Sequence, residues 1–147
     1  MRYIEDKLSG DENLYIAVDP SPVKSSGVAK IIRGKSNEPR VTREIERILG
    51  SKKLDLVLSD MAPNISGVRI VDDSASRELA EEALNAAFSF LAPGGRMVAK
   101  LFQGSEAQSF MAATKKCFIK TVLFKPAASR SESREIFVVA DGFKAGR

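Results

Sequence analysis

Pro93-Gly94-Gly95-Arg96-Met97-Val98-Ala99-Lys100-Leu101-Phe102 is the stretch that decides the fold. A Pro-Gly-Gly turn opens an apolar run of strand length, and buried parallel strands are near-continuous runs of this kind. Lys100 is the anomaly within it. A buried ammonium carries a large desolvation cost unless carboxylates surround it. Burial also lowers a lysine's pKa, which is how lysine becomes a general base near neutrality. Read alone, Lys100 is more simply a strand-end lysine whose stem packs while its head reaches water.

Outward from this run, two kinds of hydrophobic periodicity alternate. Strands are predicted at Leu14–Val18, Val28–Ile32, Leu54–Asp60, Arg96–Leu101, Phe118–Phe124 and Glu135–Ala140. Helices are predicted at Thr42–Leu49, with Thr42 as cap and Gly50 as stop, at Ser74–Leu91, and at Ser105–Cys117. In the long helix Leu79, Ala83, Ala86, Ala87 and Phe90 form the apolar stripe. Such alternation argues an α/β fold: a mostly parallel sheet covered by helices on both faces. Ligands of such sheets bind beyond the carboxyl ends of the strands. Asp19, Asp60 and Lys100 all fall there. Glu135 opens a strand, so it reaches the same rim only if that last strand runs antiparallel. The short connection from Phe118 to Glu135 allows this, because a parallel crossover needs a dozen residues or more.

Composition narrows the chemistry. The chain has 147 residues, one domain's worth, with 44% hydrophobic and 29% charged residues, as in an ordinary globular protein. It contains one cysteine, Cys117, and no histidine. No internal disulfide can form, a zinc site is disfavoured, and a Ser-His-Asp or Cys-His nucleophile system is excluded. A reduced cytosol is the default compartment. No apolar stretch approaches the roughly 20 residues of a membrane span, and the charged start Met1–Leu8 is no signal peptide. The net charge of +4 fits an anionic partner such as RNA without demanding one.

Three extended segments carry the site candidates: Ser59-Asp-Met-Ala-Pro-Asn-Ile-Ser-Gly67, Leu91-Ala-Pro-Gly-Gly-Arg-Met-Val-Ala-Lys-Leu-Phe-Gln-Gly104 and Lys125-Pro-Ala-Ala-Ser-Arg-Ser-Glu-Ser-Arg-Glu135. Together, and in this order, they resemble the FtsJ/RrmJ family of S-adenosylmethionine-dependent RNA ribose 2′-O-methyltransferases. The similarity runs from about Leu14 to Lys144. It implies a Rossmann-like methyltransferase sheet, mostly parallel with an antiparallel last strand, in one domain spanning residues 1–147. The family's Lys-Asp-Lys-Glu set falls, for its last three members, on Asp60, Lys100 and Glu135. By that resemblance Lys100 takes the proton of the ribose 2′-hydroxyl, while Asp60 and Glu135 hold and tune it. Asp19 falls on the acid that binds the cofactor ribose, and Asp60 also lies at the cofactor. Two carboxylates raise a lysine's pKa while burial lowers it, so the sequence leaves the net sign open. Family members act on large-subunit ribosomal RNA, at uridine, or on tRNA. No metal, no membrane and a cytoplasmic setting are implied.

The same resemblance defines what is missing. The first catalytic lysine, a central strand and the glycine-rich cofactor loop have no counterpart ahead of Leu14; Met1–Leu8 resembles the end of the family's first helix, and Ser9-Gly10 its exit. The expectation is an N-terminally truncated or reduced member. Either Leu14–Val18 moves over to pair with Leu54–Leu58, or a second chain fills the gap, or the true start lies upstream of a misassigned one. At the adenine-binding acid stands Lys35, with Asn37 or Glu38 as substitutes. Two functions follow: an RNA 2′-O-methyltransferase, or a catalytically impaired remnant that binds RNA or a protein. Lys125, Arg130 and Arg134 are the basic residues expected near the rim, where they could meet phosphates.

Overall fold

The structure, a computed structural model, describes residues 13–23, 29–126 and 133–145. Expectations for Met1–Gly10, Val28 and Arg130 lie outside them. The chain divides into two compact units, residues 1–52 and 53–147.

In the first unit, β1 (Tyr15–Asp19) runs parallel to β2 (Ala29–Arg33), with Asp19 opposite Arg33. Helix α1 spans Pro39–Leu49. It starts three residues before the predicted Thr42, because Pro39 sits in the first turn, where its missing N–H goes unused. Glu38 occupies the cap position and its Oε1 accepts the Lys35 N–H at 3.0 Å. Val41, Ile45 and Leu49, four residues apart, form the buried stripe.

The second unit contains β3 (Leu54–Ser59), α2 (Arg69–Phe90), β4 (Leu91–Phe102), α3 (Ser105–Cys117), β5 (Phe118–Phe124) and β6 (Glu135–Phe143). The sheet order is β3-β4-β6-β5. β3 is parallel to β4, while β6 is antiparallel to both β4 and β5. β3, β4 and β5 therefore share one direction and only the last strand reverses, as expected. Of the alternatives for Leu14–Val18, pairing with Leu54–Leu58 is not the one seen among the described residues, where β1 pairs with β2.

Two boundaries differ from expectation. Helix α2 begins at Arg69, five residues before Ser74, with no side-chain cap at Val68. Strand β4 begins at Leu91, so Pro93-Gly94-Gly95 is a bulge inside the strand rather than a turn before it. Leu54 pairs with Leu91 but Leu56 pairs with Arg96, so β4 spends five residues where β3 spends two. Gly94 takes φ +81°, and a Cβ on Gly95 would lie 2.9 Å from the Ala92 carbonyl oxygen and 3.3 Å from that of Asp55. Only glycine fits both positions.

Beyond the bulge β4 alternates strictly. Met97, Ala99 and Leu101 are buried, while Val98, Lys100 and Phe102 face the other way. The buried face packs on Ala80, Ala83, Leu84 and Ala87 of α2 and on Ala107 and Phe110 of α3. Phe118 and Phe143 close one end, with ring centroids 5.3 Å apart. Cys117 packs against this core from the end of α3. Among the described residues no helix is long and apolar enough to cross a membrane.

Candidate active site

Strand register brings the three candidates together. Ser59 pairs with Ala99, so Asp60, the next residue, leaves β3 beside Lys100. On the other flank Lys100 pairs with Phe137 and Phe102 with Glu135. Lys100 and Glu135 are thus diagonal neighbours on one face of an antiparallel pair, within reach of long side chains. Lys100 Nζ lies 3.0 Å from Asp60 Oδ1 and 3.4 Å from Glu135 Oε1. The ammonium is the sealed partner, its side chain 11% exposed, against 76% for Asp60 and 45% for Glu135. A buried cation therefore hands its charge to two carboxylates that water can reach.

These groups set the proton affinity of Lys100. Burial is the largest single influence and lowers it; the hydrogen bond to Asp60 and the charges of Asp60 and Glu135 raise it, and together they prevail. Lys100 titrates above its ordinary 10.5. The balance left open by the sequence is thereby decided: at rest the amine is protonated and donates to both acids.

The loop after Asp60 is held by α2. Asp72, 5% exposed, accepts the Ser66 N–H at 2.8 Å and the Ser66 hydroxyl at 2.7 Å on its Oδ1. The Ser66 hydroxyl bond, followed by the backbone bonds of Ser66 and Gly67 and the Arg134 charge, holds the Asp72 carboxyl below its ordinary 3.8 against the opposing effect of burial. One residue on, Asp73 pairs with the Arg134 guanidinium, which also sits 5.6 Å from the centroid of the Phe102 ring. Arg134 is thus engaged within the protein rather than free to meet phosphate, while Lys125 is exposed. Sequence reasoning missed Asp72, Asp73 and Ser76. The signal was present: Asp72, Ser76, Ala80, Ala83 and Ala87 extend the buried stripe of α2 toward its N-terminus.

Asp19 belongs to the first unit, at the carboxyl end of β1. Its Oδ1 accepts the Ser21 N–H at 2.7 Å, the turn-closing contact of an Asp-Pro corner. Its backbone oxygen accepts the Gly34 N–H at 3.0 Å. Lys35 and Glu38 are engaged with each other, backbone to carboxylate.

Comparison with known proteins places this architecture among Rossmann-like methyltransferases. A putative ribosomal RNA methyltransferase from Plasmodium falciparum superposes with a TM-score of 0.88 at 26% identity, covering 99% of this chain and 80% of that one. Human methyltransferase-like protein 13, solved in complex with SAH, gives 0.67 at 12% identity, covering 99% and 68%, a likeness of fold. The model of the FtsJ-like methyltransferase family matches residues 7–143, and the chain belongs to that family. A ribosomal RNA large subunit methyltransferase E from Coxiella burnetii is 41% identical over 140 residues, covering 92% of this chain and 66% of the relative. Its counterpart from Marinobacter nauticus is 40% identical over 138 residues, covering 94% and 67%. The chain spans about two thirds of the length of these relatives.

Proposed function

We propose that this protein is an RNA methyltransferase that transfers a methyl group from S-adenosylmethionine to a ribose 2′-hydroxyl, with large-subunit ribosomal RNA as substrate and uridine as the modified nucleotide. The observation that carries this reading is the largely buried Lys100 amine bracketed at 3.0 and 3.4 Å by Asp60 and Glu135. A purely structural lysine gains little from such burial, whereas a group that must exchange one proton at a fixed point gains position. The names of the Coxiella and Marinobacter relatives point to the large-subunit RNA.

Asp19 fits the ribose end of the cofactor. One carboxylate oxygen is spent on the turn and the other can accept from a hydroxyl, at the strand end where α/β sheets bind ligands. Asp60, largely exposed, is also assigned to the cofactor. When bound, S-adenosylmethionine supplies a methyl group made electrophilic by its sulfonium. Lys100 supplies the rest. In its neutral form the Nζ lone pair would take the proton of the 2′-hydroxyl while the methyl leaves the sulfonium sulfur for that oxygen, and Asp60 and Glu135 would stabilise the ammonium produced. Because Lys100 rests protonated, turnover runs through the minor neutral fraction, and Asp60, open to water, is the exit for the resting proton. Positioning and electrostatics provide most of the acceleration.

The test uses the ribose itself. A 2′-O-methyl group blocks alkaline cleavage of the next phosphodiester, because the attacking hydroxyl is gone. Incubation with methyl-labelled S-adenosylmethionine and large-subunit RNA should leave label in alkali-resistant dinucleotides, and Lys100→Ala should abolish that label while RNA binding persists. Label at a base, or full labelling by Lys100→Ala, refutes the assignment. Calorimetry with S-adenosylmethionine separates this function from that of an RNA- or protein-binding remnant, for which no heat is expected at millimolar ligand.

A further inference from the structure

Three neighbouring residues of α2 reach three different segments of the site. Asp72 Oδ1 takes two hydrogen bonds from Ser66, on the loop that begins at Asp60. Asp73 grips Arg134, the residue immediately before Glu135, and holds it between the Phe102 ring and the Gln103 carbonyl. Ser76 Oγ, 3% exposed, accepts the Phe102 N–H at 2.9 Å, two residues beyond Lys100. A further bond, Gln103 N–H to the Arg134 carbonyl at 2.7 Å, ties the exit of β4 to the entry of β6. Gly104 leaves room for this arrangement, since a Cβ there would stand 3.1 Å from Asp73 Oδ2. Asp72, Asp73 and Ser76 occupy the first turns of a 22-residue helix packed on the core.

We propose that these turns of α2 are a jig for the site. Asp72 fixes the loop that carries Asp60, Asp73 fixes Glu135 through Arg134, and Ser76 fixes the strand end that carries Lys100. The three are positioning residues. None is required to touch substrate, and their effect is the spacing of the amine and its two acids. The catalytic consequence rests on the methyl-transfer reading above; the geometric content does not.

The experiment reads the Lys100 proton directly. Lysine-labelled protein is titrated by NMR, with Lys100→Arg identifying the signal. Asp60→Asn and Glu135→Gln set the largest downward shifts that loss of each acid can produce. Asp72→Asn should lower the midpoint by about half a pH unit or more, up to the Asp60→Asn value. Asp73→Asn should lower it by no more than Glu135→Gln does. Arg134→Lys keeps every charge and loses only the forked grip, so any shift in it reports geometry. The inference is overturned if folded Asp73→Asn and Arg134→Lys titrate with the wild type, or if either shifts further than Glu135→Gln. Should Asp73→Asn fail to fold, Arg134→Lys alone decides. The two proposals fail separately. A chain that transfers no methyl but shows these shifts keeps the jig and loses the enzyme; normal turnover with an unmoved Lys100 signal in the variants does the opposite.

Discussion

Lys100→Met separates a catalytic lysine from a structural one. Methionine keeps the apolar stem and removes the charge. At 3.0 and 3.4 Å, in the water-like screening that the exposed Asp60 and Glu135 experience, each ion pair amounts to about 1.4 and 1.2 kcal/mol by Coulomb's law. Measured pairs with exposed partners come in lower, at about 0.2–1 kcal/mol. Against this stands the desolvation of an ammonium left 11% exposed. The upward shift of the lysine shows that the pairs outweigh it, so the net gain is only part of what the pairs supply. The variant should therefore unfold in urea at neutral pH within about 1 kcal/mol of the wild type, since the orphaned carboxylates are solvated. Methyl transfer should fall by about 10²–10⁴-fold, the usual contribution of a general base. A variant destabilised by 3 kcal/mol or more, or one retaining turnover, would refute the reasoning.

The remaining expectations concern pH and packing. Because Lys100 titrates above 10.5 when folded, its stabilising contribution is complete below that value and is lost as pH rises through the folded one; alkaline urea melts should show this loss in the wild type and not in Lys100→Met. The same protonation makes log kcat climb with a slope of about one between neutrality and pH 10; a flat profile would exclude a neutral-amine base. The Asp72 carboxyl is held below 3.8, so its contribution is present above that value and lost as pH falls through the lower folded one. Hydrogen exchange at Ser66 and Gly67 should accelerate there, and Asp72→Asn should exchange fast at every pH. Gly95→Ala, with its Cβ forced against two backbone carbonyls, should lose about 1–3 kcal/mol in thermal or urea unfolding; unchanged stability would show that β3 and β4 yield there.

The second unit's fold was legible because its strands and helices carry different periods and because the short stretch between Phe118 and Glu135 allows a reversal. Glu135 opens a strand, so it meets the rim only if β6 runs antiparallel, and that reversal places it diagonal to Lys100. Legibility ended where polar residues took over buried positions. Asp72, Asp73 and Ser76 look like the solvated start of a helix, and their partners lie 6, 61 and 26 residues away. The sequence therefore points to a start at Ser74 for α2, whereas its first turn, uncapped by any side chain, is tied down by that loop. Pro93-Gly94-Gly95 misled for a related reason. Proline and glycine mark irregular backbone, and a bulge within a strand uses the same residues as a turn before one. The sign of the Lys100 shift had no sequence signature at all, since it depends on how much of each acid water can reach.

The alternation of β4 has a consequence for how this chain can vary in length. One residue added or removed between Arg96 and Lys100 would invert the strand's parity, driving the amine in among the helices and turning Leu101 out toward the acids. The five-for-two mismatch at Leu91–Arg96 lies just upstream and already breaks step with its neighbour. Insertions and deletions can be absorbed there while the phase of everything downstream, and with it the chemistry, stays intact.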